Sequence, residues 1–124
     1  MNTVIWIVQG LLAVMYALAG VMKTTQPKEK LQENMGWVND FSQNQVRLIG
    51  TAELLAAAGL ILPMALDILE VLTPLAATGL VILMLGAMYT HYRRKEYPLI
   101  AMTGVLMLLA LFVAYGRFIA EPVV

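Results

Sequence analysis

The sequence contains no cysteine and a single histidine, His91. Disulfide frameworks, thiolate metal sites and thiol catalysis are therefore excluded. One histidine cannot supply bis-histidine haem ligation, so no metal site within one chain is expected. Charge is also scarce. Only 13% of the residues are charged and 60% are apolar, whereas soluble domains carry about 25% charged residues. The mean hydropathy is +0.77. So few charges cannot solvate a globular surface, which excludes a soluble enzyme and a disordered tail. The formal net charge is zero, so no basic field exists to attract nucleic acid, and no such partner is expected. No phosphate loop, dinucleotide fingerprint or serine-nucleophile motif occurs.

What the sequence does have is long windows free of charge. Residues 1–22, 71–92 and 97–116 contain no charged side chain, and 48–66 contain one, Glu53. A hydrocarbon core of about 30 Å takes about 20 apolar helical residues. In lipid the backbone must satisfy its own hydrogen bonds, and the period-2 alternation of a barrel strand is absent. The windows predict four transmembrane helices, at about 3–22, 48–66, 72–92 and 97–118. The expected fold is all-α: a polytopic four-transmembrane-helix bundle, one membrane domain over 1–124. Ala17-Leu18-Ala19 resembles a signal-peptide cleavage site, but no Lys or Arg precedes it and the apolar run has full-span length, so cleavage is not expected.

The cations give an orientation. Lys23, Lys28, Lys30, Arg47, Arg93, Arg94 and Lys95 all fall in the first and third connections, and Arg117 alone falls on the other side. This bias predicts both connections in the cytoplasm and both termini outside, as in a multi-pass protein of a bacterial inner membrane. The first connection is long. Pro27 can start a helix over 28–35, with Leu31, Met35 and Val38 on one face and Trp37 nearby. That pattern predicts a short interfacial helix. Trp6, Tyr115 and Phe118 would mark the outer interface, and Tyr89, Tyr92 and Tyr97 the inner one. Small residues suggest helix contacts: Gly10, Ala13, Ala17 and Gly20 in the first span, Gly50, Ala57 and Gly59 in the second, Ala76, Gly79 and Gly86 in the third.

Glu53 is the sharpest polar feature. It lies six residues past Arg47, about 9 Å along the helix at 1.5 Å per residue. A carboxylate inside the bilayer costs about 2.5–3.5 kcal/mol on insertion scales. It therefore needs a partner or a raised pKa. Either it titrates protons or binds a ligand, or it is a structural ion-pair residue. Lys23 and Arg47 close the first span and open the second at a similar level, and His91 ends the third. These four residues, Glu53, Lys23, Arg47 and His91, are the candidate site. Taken alone, each cation reads equally as a headgroup anchor, and His91 as an interfacial side chain that could bond Glu53 or a ligand. Arg93, Arg94, Lys95 and Glu96 form a tight turn expected to contact anionic lipid, with Glu96 bonding back to Arg93 or His91. Arg117 lies about a membrane width from Glu53, as an anchor or part of another site.

The ordered motifs resemble a known family. Ala19-Gly20-Val21-Met22-Lys23 is similar to the A-G-x-x-K that ends the first helix of DoxX-like membrane proteins, and Met35-Gly36-Trp37 follows. Arg47 to Glu53 resembles R-x-x-G-x-x-E, and Gly59-Leu60-Ile61-Leu62-Pro63 ends the second helix in the same style. Pro74-Leu75-Ala76-Ala77 opens the third helix. Gly86-Ala87 and His91 to Glu96 resemble G-A-x-x-x-H-x-R-R-x-E. The resemblance implies a four-helix fold and a role linked to quinone and to redox or stress-defence enzymes. It carries Lys23, Arg47, Glu53, His91, Arg93 and Glu96 over as the family-like polar set.

Three functions follow as expectations. The first is an accessory subunit or binder of a quinone-like molecule, without catalytic activity of its own, partnered by the bilayer and by a membrane redox complex or a second copy. The second is a small proton-coupled transporter using Glu53. Small multidrug resistance proteins have a similar length and one embedded Glu, but theirs lies in the first helix. The third is a structural or assembly partner with no ligand.

Overall fold

The computed structural model describes residues 1–33 and 35–123. Four long helices dominate it: α1 (Asn2–Thr25), α3 (Gln43–Ala65), α4 (Leu72–Arg93) and α5 (Tyr97–Tyr115). A one-turn helix, α2 (Lys28–Leu31), and a 3-10 turn at Gly36–Asp40 fill the first connection, and a π-helical turn at Gly116–Ala120 extends α5. All four long helices, α5 together with its extension, are long and apolar enough to cross a membrane. Their outer faces carry exposed Leu11, Leu18, Leu55, Ile82 and Leu108, as a lipid-facing surface requires.

Helix α3 starts five residues earlier than its apolar window, 48–66. Ser42 and Gln45 form a reciprocal capping box: Gln45 N–H donates to Ser42 Oγ at 3.1 Å, and Ser42 N–H to Gln45 Oε1 at 2.9 Å. Polar residues at the helix start thus hold one more turn than hydropathy alone indicates. At the other end Pro63 lies inside the helix. Its missing N–H frees the carbonyl four residues back. That carbonyl, Gly59 O, accepts from the Thr73 hydroxyl of α4 at 2.8 Å. The Cβ of Ala76 sits 2.9 Å from where a Cβ on Gly59 would be, so α3 and α4 meet closely here.

The helices form two antiparallel pairs, α1 with α3 and α4 with α5, each packed along most of its length. The pairs meet mainly at one end. There Gly59 faces Ala76, and Gly116 lies against Ile5, whose Cδ1 is 2.5 Å from the place of a Gly116 Cβ. A core of Ile5, Leu12, Leu60, Leu80, Ala110 and Val113 fills this end. The small-residue stripes are used only in part. Gly20 and Gly50 touch across α1 and α3, whereas a Cβ on Gly10, Gly79 or Gly86 would meet nothing within 4 Å.

At the other end the first connection folds back over the helices. Its helix is one turn long, shorter than the 28–35 stretch expected; Asn34, within that stretch, lies outside the described residues. Leu31 and Val38 are buried with Val46 in a second small core, against Met22, Met35, Trp37 and Phe41. The apolar face expected to lie on the membrane thus packs on protein. Protein neighbours supply the burial that the bilayer surface would otherwise provide.

Candidate functional site

Between the two pairs, under the first connection, lies a cavity of about 790 Å³. Its walls are mostly apolar, and a few polar groups converge on it: Tyr16, Lys23, Glu53, His91 and Glu96. This is the usual make-up of a small-molecule site.

Lys23 and Glu53 form the centre. Lys23 Nζ donates to Glu53 Oε1 at 2.7 Å, with Lys23 8% and Glu53 2% exposed. Two glycines make this contact. Gly20 and Gly50 each precede their charged residue by three positions, and a Cβ on Gly20 would come within 2.7 Å of Gly50 O. A Cβ on Gly50 would likewise meet Lys23 Cβ at 2.7 Å. Only residues without side chains let the backbones approach so closely. Side chains on a helix lean toward its N-terminus, so the Lys23 stem rises from this crossing to Glu53, one turn further along α3. The Trp37 ring lies 5.1 Å from Nζ, adding a cation–π contact.

Sequence reasoning missed Tyr16. It is 3% exposed and lines the same cavity as Glu53. Its hydroxyl has no hydrogen-bond partner among the described residues. A tyrosine in an apolar run gives no signal of its own; its position two helical turns before Lys23 on the same face was the available clue.

His91 stands at the opposite wall and bonds Glu96 rather than Glu53. Its Nδ1 is 3.0 Å from Glu96 Oε1, which also accepts from Arg94 Nε at 3.2 Å. An ionised carboxylate only accepts, so Nδ1 is the donor here, and in the Nδ1–H tautomer Nε2 is left as an acceptor. Arg94 Nη1 also donates to Asp40 Oδ1 at 3.0 Å, tying the first connection to the α4–α5 turn. Arg93 lines the cavity, with its guanidinium 5.8 Å from the Tyr89 ring centre. Lys95 is exposed and holds a positive φ of 59°.

Arg47 is not brought to the cavity. It donates to the carbonyl of Thr24 at 2.7 Å and so satisfies the end of α1. Arg117 is at the far end, 1% exposed. Its Nε donates to Gln9 Oε1 at 2.7 Å and its Nη1 to Asn2 Oδ1 at 2.6 Å, while Trp6 lies 5.5 Å away beneath the guanidinium. Gln9, which was not singled out in the sequence, also donates to Leu60 O at 2.6 Å. These bonds clasp α1, α3 and the end of α5 together.

A direct comparison bears on the family: the profile of the DoxX-like family matches residues 7–113. The chain belongs to the DoxX-like family. The match runs from α1 to near the end of α5 and takes in Lys23, Glu53 and His91. With four membrane-length helices, this DoxX-like chain is a multi-pass membrane protein. No curated protein and no solved structure gives a significant match.

Proposed function

We propose that this DoxX-like protein holds a small amphiphile with a quinone-like head group, as an accessory subunit of a membrane redox system. One observation carries the reading. The buried Tyr16 hydroxyl stands unpartnered among the described residues, at a cavity that also presents an ion pair and a histidine. Leaving a buried donor unpaired costs about 1–3 kcal/mol, and a ligand carbonyl removes that cost. A quinone has two carbonyls to accept from Tyr16 and Lys23, and its reduced form has hydroxyls to donate to Glu53 or His91 Nε2. Met, Leu and aromatic walls suit the flat ring. In this reading a partner redox protein supplies electrons and the chain catalyses nothing by itself. We place the chain in a bacterial inner membrane as one membrane domain, and the cation bias of the first and third connections supports both termini outside the cytoplasm.

The test uses the protein's own fluorescence. The chain has two tryptophans, Trp6 and Trp37, and Trp37 lines the cavity. In a Trp6→Phe background, decylubiquinone should quench Trp37 saturably. Tyr16→Phe removes the donor yet keeps the Lys23–Glu53 pair, and should weaken binding about 5- to 10-fold, the value of one hydrogen bond. Glu53→Gln should weaken it as well. Unchanged affinity in both variants overturns the reading. Proton-coupled efflux that Glu53→Gln abolishes would point to a transporter instead.

A further inference from the structure

The route into the cavity follows from how its walls are built. On the side of the first connection, Met35, Gly36, Trp37, Asp40 and Phe41 cover it, and the Asp40–Arg94 bond fastens that cover to the α4–α5 turn. At the far end the core and the Arg117 clasp close it. Between these ends, α1 meets α5 over much less of its length than it meets α3.

Two residues at this gap belong to both the cavity and the outer surface. Met15 on α1 and Met102 on α5 line the cavity, yet they are 47% and 52% exposed. Their outward neighbours Leu11, Leu18 and Val105 are exposed along membrane-length helices. The cavity wall therefore runs without a break into the surface that faces lipid. The rim is apolar throughout: Met15, Ala19, Leu99, Met102 and Leu106. The opposite rim, on α4, differs. There the Arg93 guanidinium lies over Tyr89, so a charge borders that side.

We infer that the cavity is loaded from the bilayer through a lateral portal between α1 and α5, and that its ligand is a chain-bearing, lipid-soluble amphiphile. Its head group sits among Tyr16, Lys23 and Glu53, and its hydrocarbon chain leaves over Met15 and Met102. This rests on the preceding reading that the cavity holds a ligand, and adds the class of that ligand and its path. A hydrocarbon chain in an apolar gap exchanges one apolar environment for another, so it loses no burial on passing from lipid to protein. A chainless, water-borne molecule would have to displace the fastened cover.

The absence of cysteine permits a direct test. Met15→Cys and Met102→Cys are introduced together in the Trp6→Phe background and bridged with a bis-methanethiosulfonate reagent, which dithiothreitol reverses. Bridging should slow the association of decylubiquinone at least tenfold, with recovery on reduction, while a chainless benzoquinone keeps its affinity within twofold. The reductant shows on the same sample that the fold is intact. Equal association rates before and after bridging overturn the portal. A second measurement separates the portal from the quinone reading. In bilayers of phospholipid brominated on its acyl chains, bridging should relieve part of the Trp37 quenching. If neither quinone binds but bridging relieves the bromolipid quenching, the quinone reading fails and the portal stands for another lipid. If bridging leaves that quenching unchanged, the portal fails.

Discussion

Lys23 and Glu53 each follow a glycine by three residues, and that shared spacing joins packing to chemistry. The glycines allow the close crossing, and the crossing sets the reach of the lysine. The consequence can be measured. Lys23→Met leaves a buried carboxylate without its partner and should cost about 3–5 kcal/mol of stability. Lys23→Met combined with Glu53→Leu removes both charges and should recover most of that loss, as read by unfolding in detergent. The charged members of the site could be found in the sequence because a charge inside an apolar window stands out. Tyr16 and Gln9 stood out less, because neither is charged and both fit an ordinary helix; only the register of Tyr16 with Lys23 hinted at its place. What gives them meaning is what surrounds them: an open hydroxyl at a cavity, and an amide between Arg117 and Leu60. Arg47 shows the opposite case. Its level in the membrane suggested the site, but its side chain turns to the end of α1.

The helices were legible as elements, since length and hydropathy decide what can cross a bilayer. Their ends were less so, because local polar chemistry sets them. The Ser42–Gln45 box extends α3 beyond its apolar window, and Pro63 stays within the same helix because Thr73 takes the carbonyl it frees. Thr73→Val should leave that carbonyl unpaired and lower stability by about 1 kcal/mol, seen as a lower melting temperature at unchanged ligand affinity. The α4–α5 turn is a related case. Glu96 N–H returns to His91 O at 2.9 Å and Lys95 N–H to Tyr92 O at 3.1 Å, with Lys95 in the left-handed region. This is the Schellman arrangement, in which glycine is the usual residue. Lys95→Gly should raise stability by up to about 1 kcal/mol in the same melting assay. The turn also aims Glu96 back at His91, so the backbone geometry orients one wall of the site.

At the scale of the molecule, the four-helix class and the membrane location followed from where the charges are missing. The arrangement of the helices did not. Nothing in the apolar windows says that α1 pairs with α3 and α4 with α5, or that the pairs close at one end and part at the other. Those features depend on which glycines face a neighbour and which face outward, and a helical stripe looks the same in both cases. The first connection is similar. Its apolar face was visible, but whether lipid or protein would cover it was settled by Val46 and the residues around it.

The clasp at the Arg117 end also bears on the order of assembly. It joins Arg117 to Gln9 and Asn2, positions 108 and 115 residues apart. Such closures are the slowest to form, because chain entropy must be lost before the contact rewards it. Each helix pair can form from nearer neighbours, and the clasp then locks one pair to the other. The two tryptophans sit at opposite ends of this process, Trp6 under Arg117 and Trp37 beside Lys23. During refolding into bilayers, Trp37 in the Trp6→Phe variant should change first and Trp6 in the Trp37→Phe variant later. The chain thus carries a clock at each end, and the interval between them is the time the bundle spends paired but not yet closed.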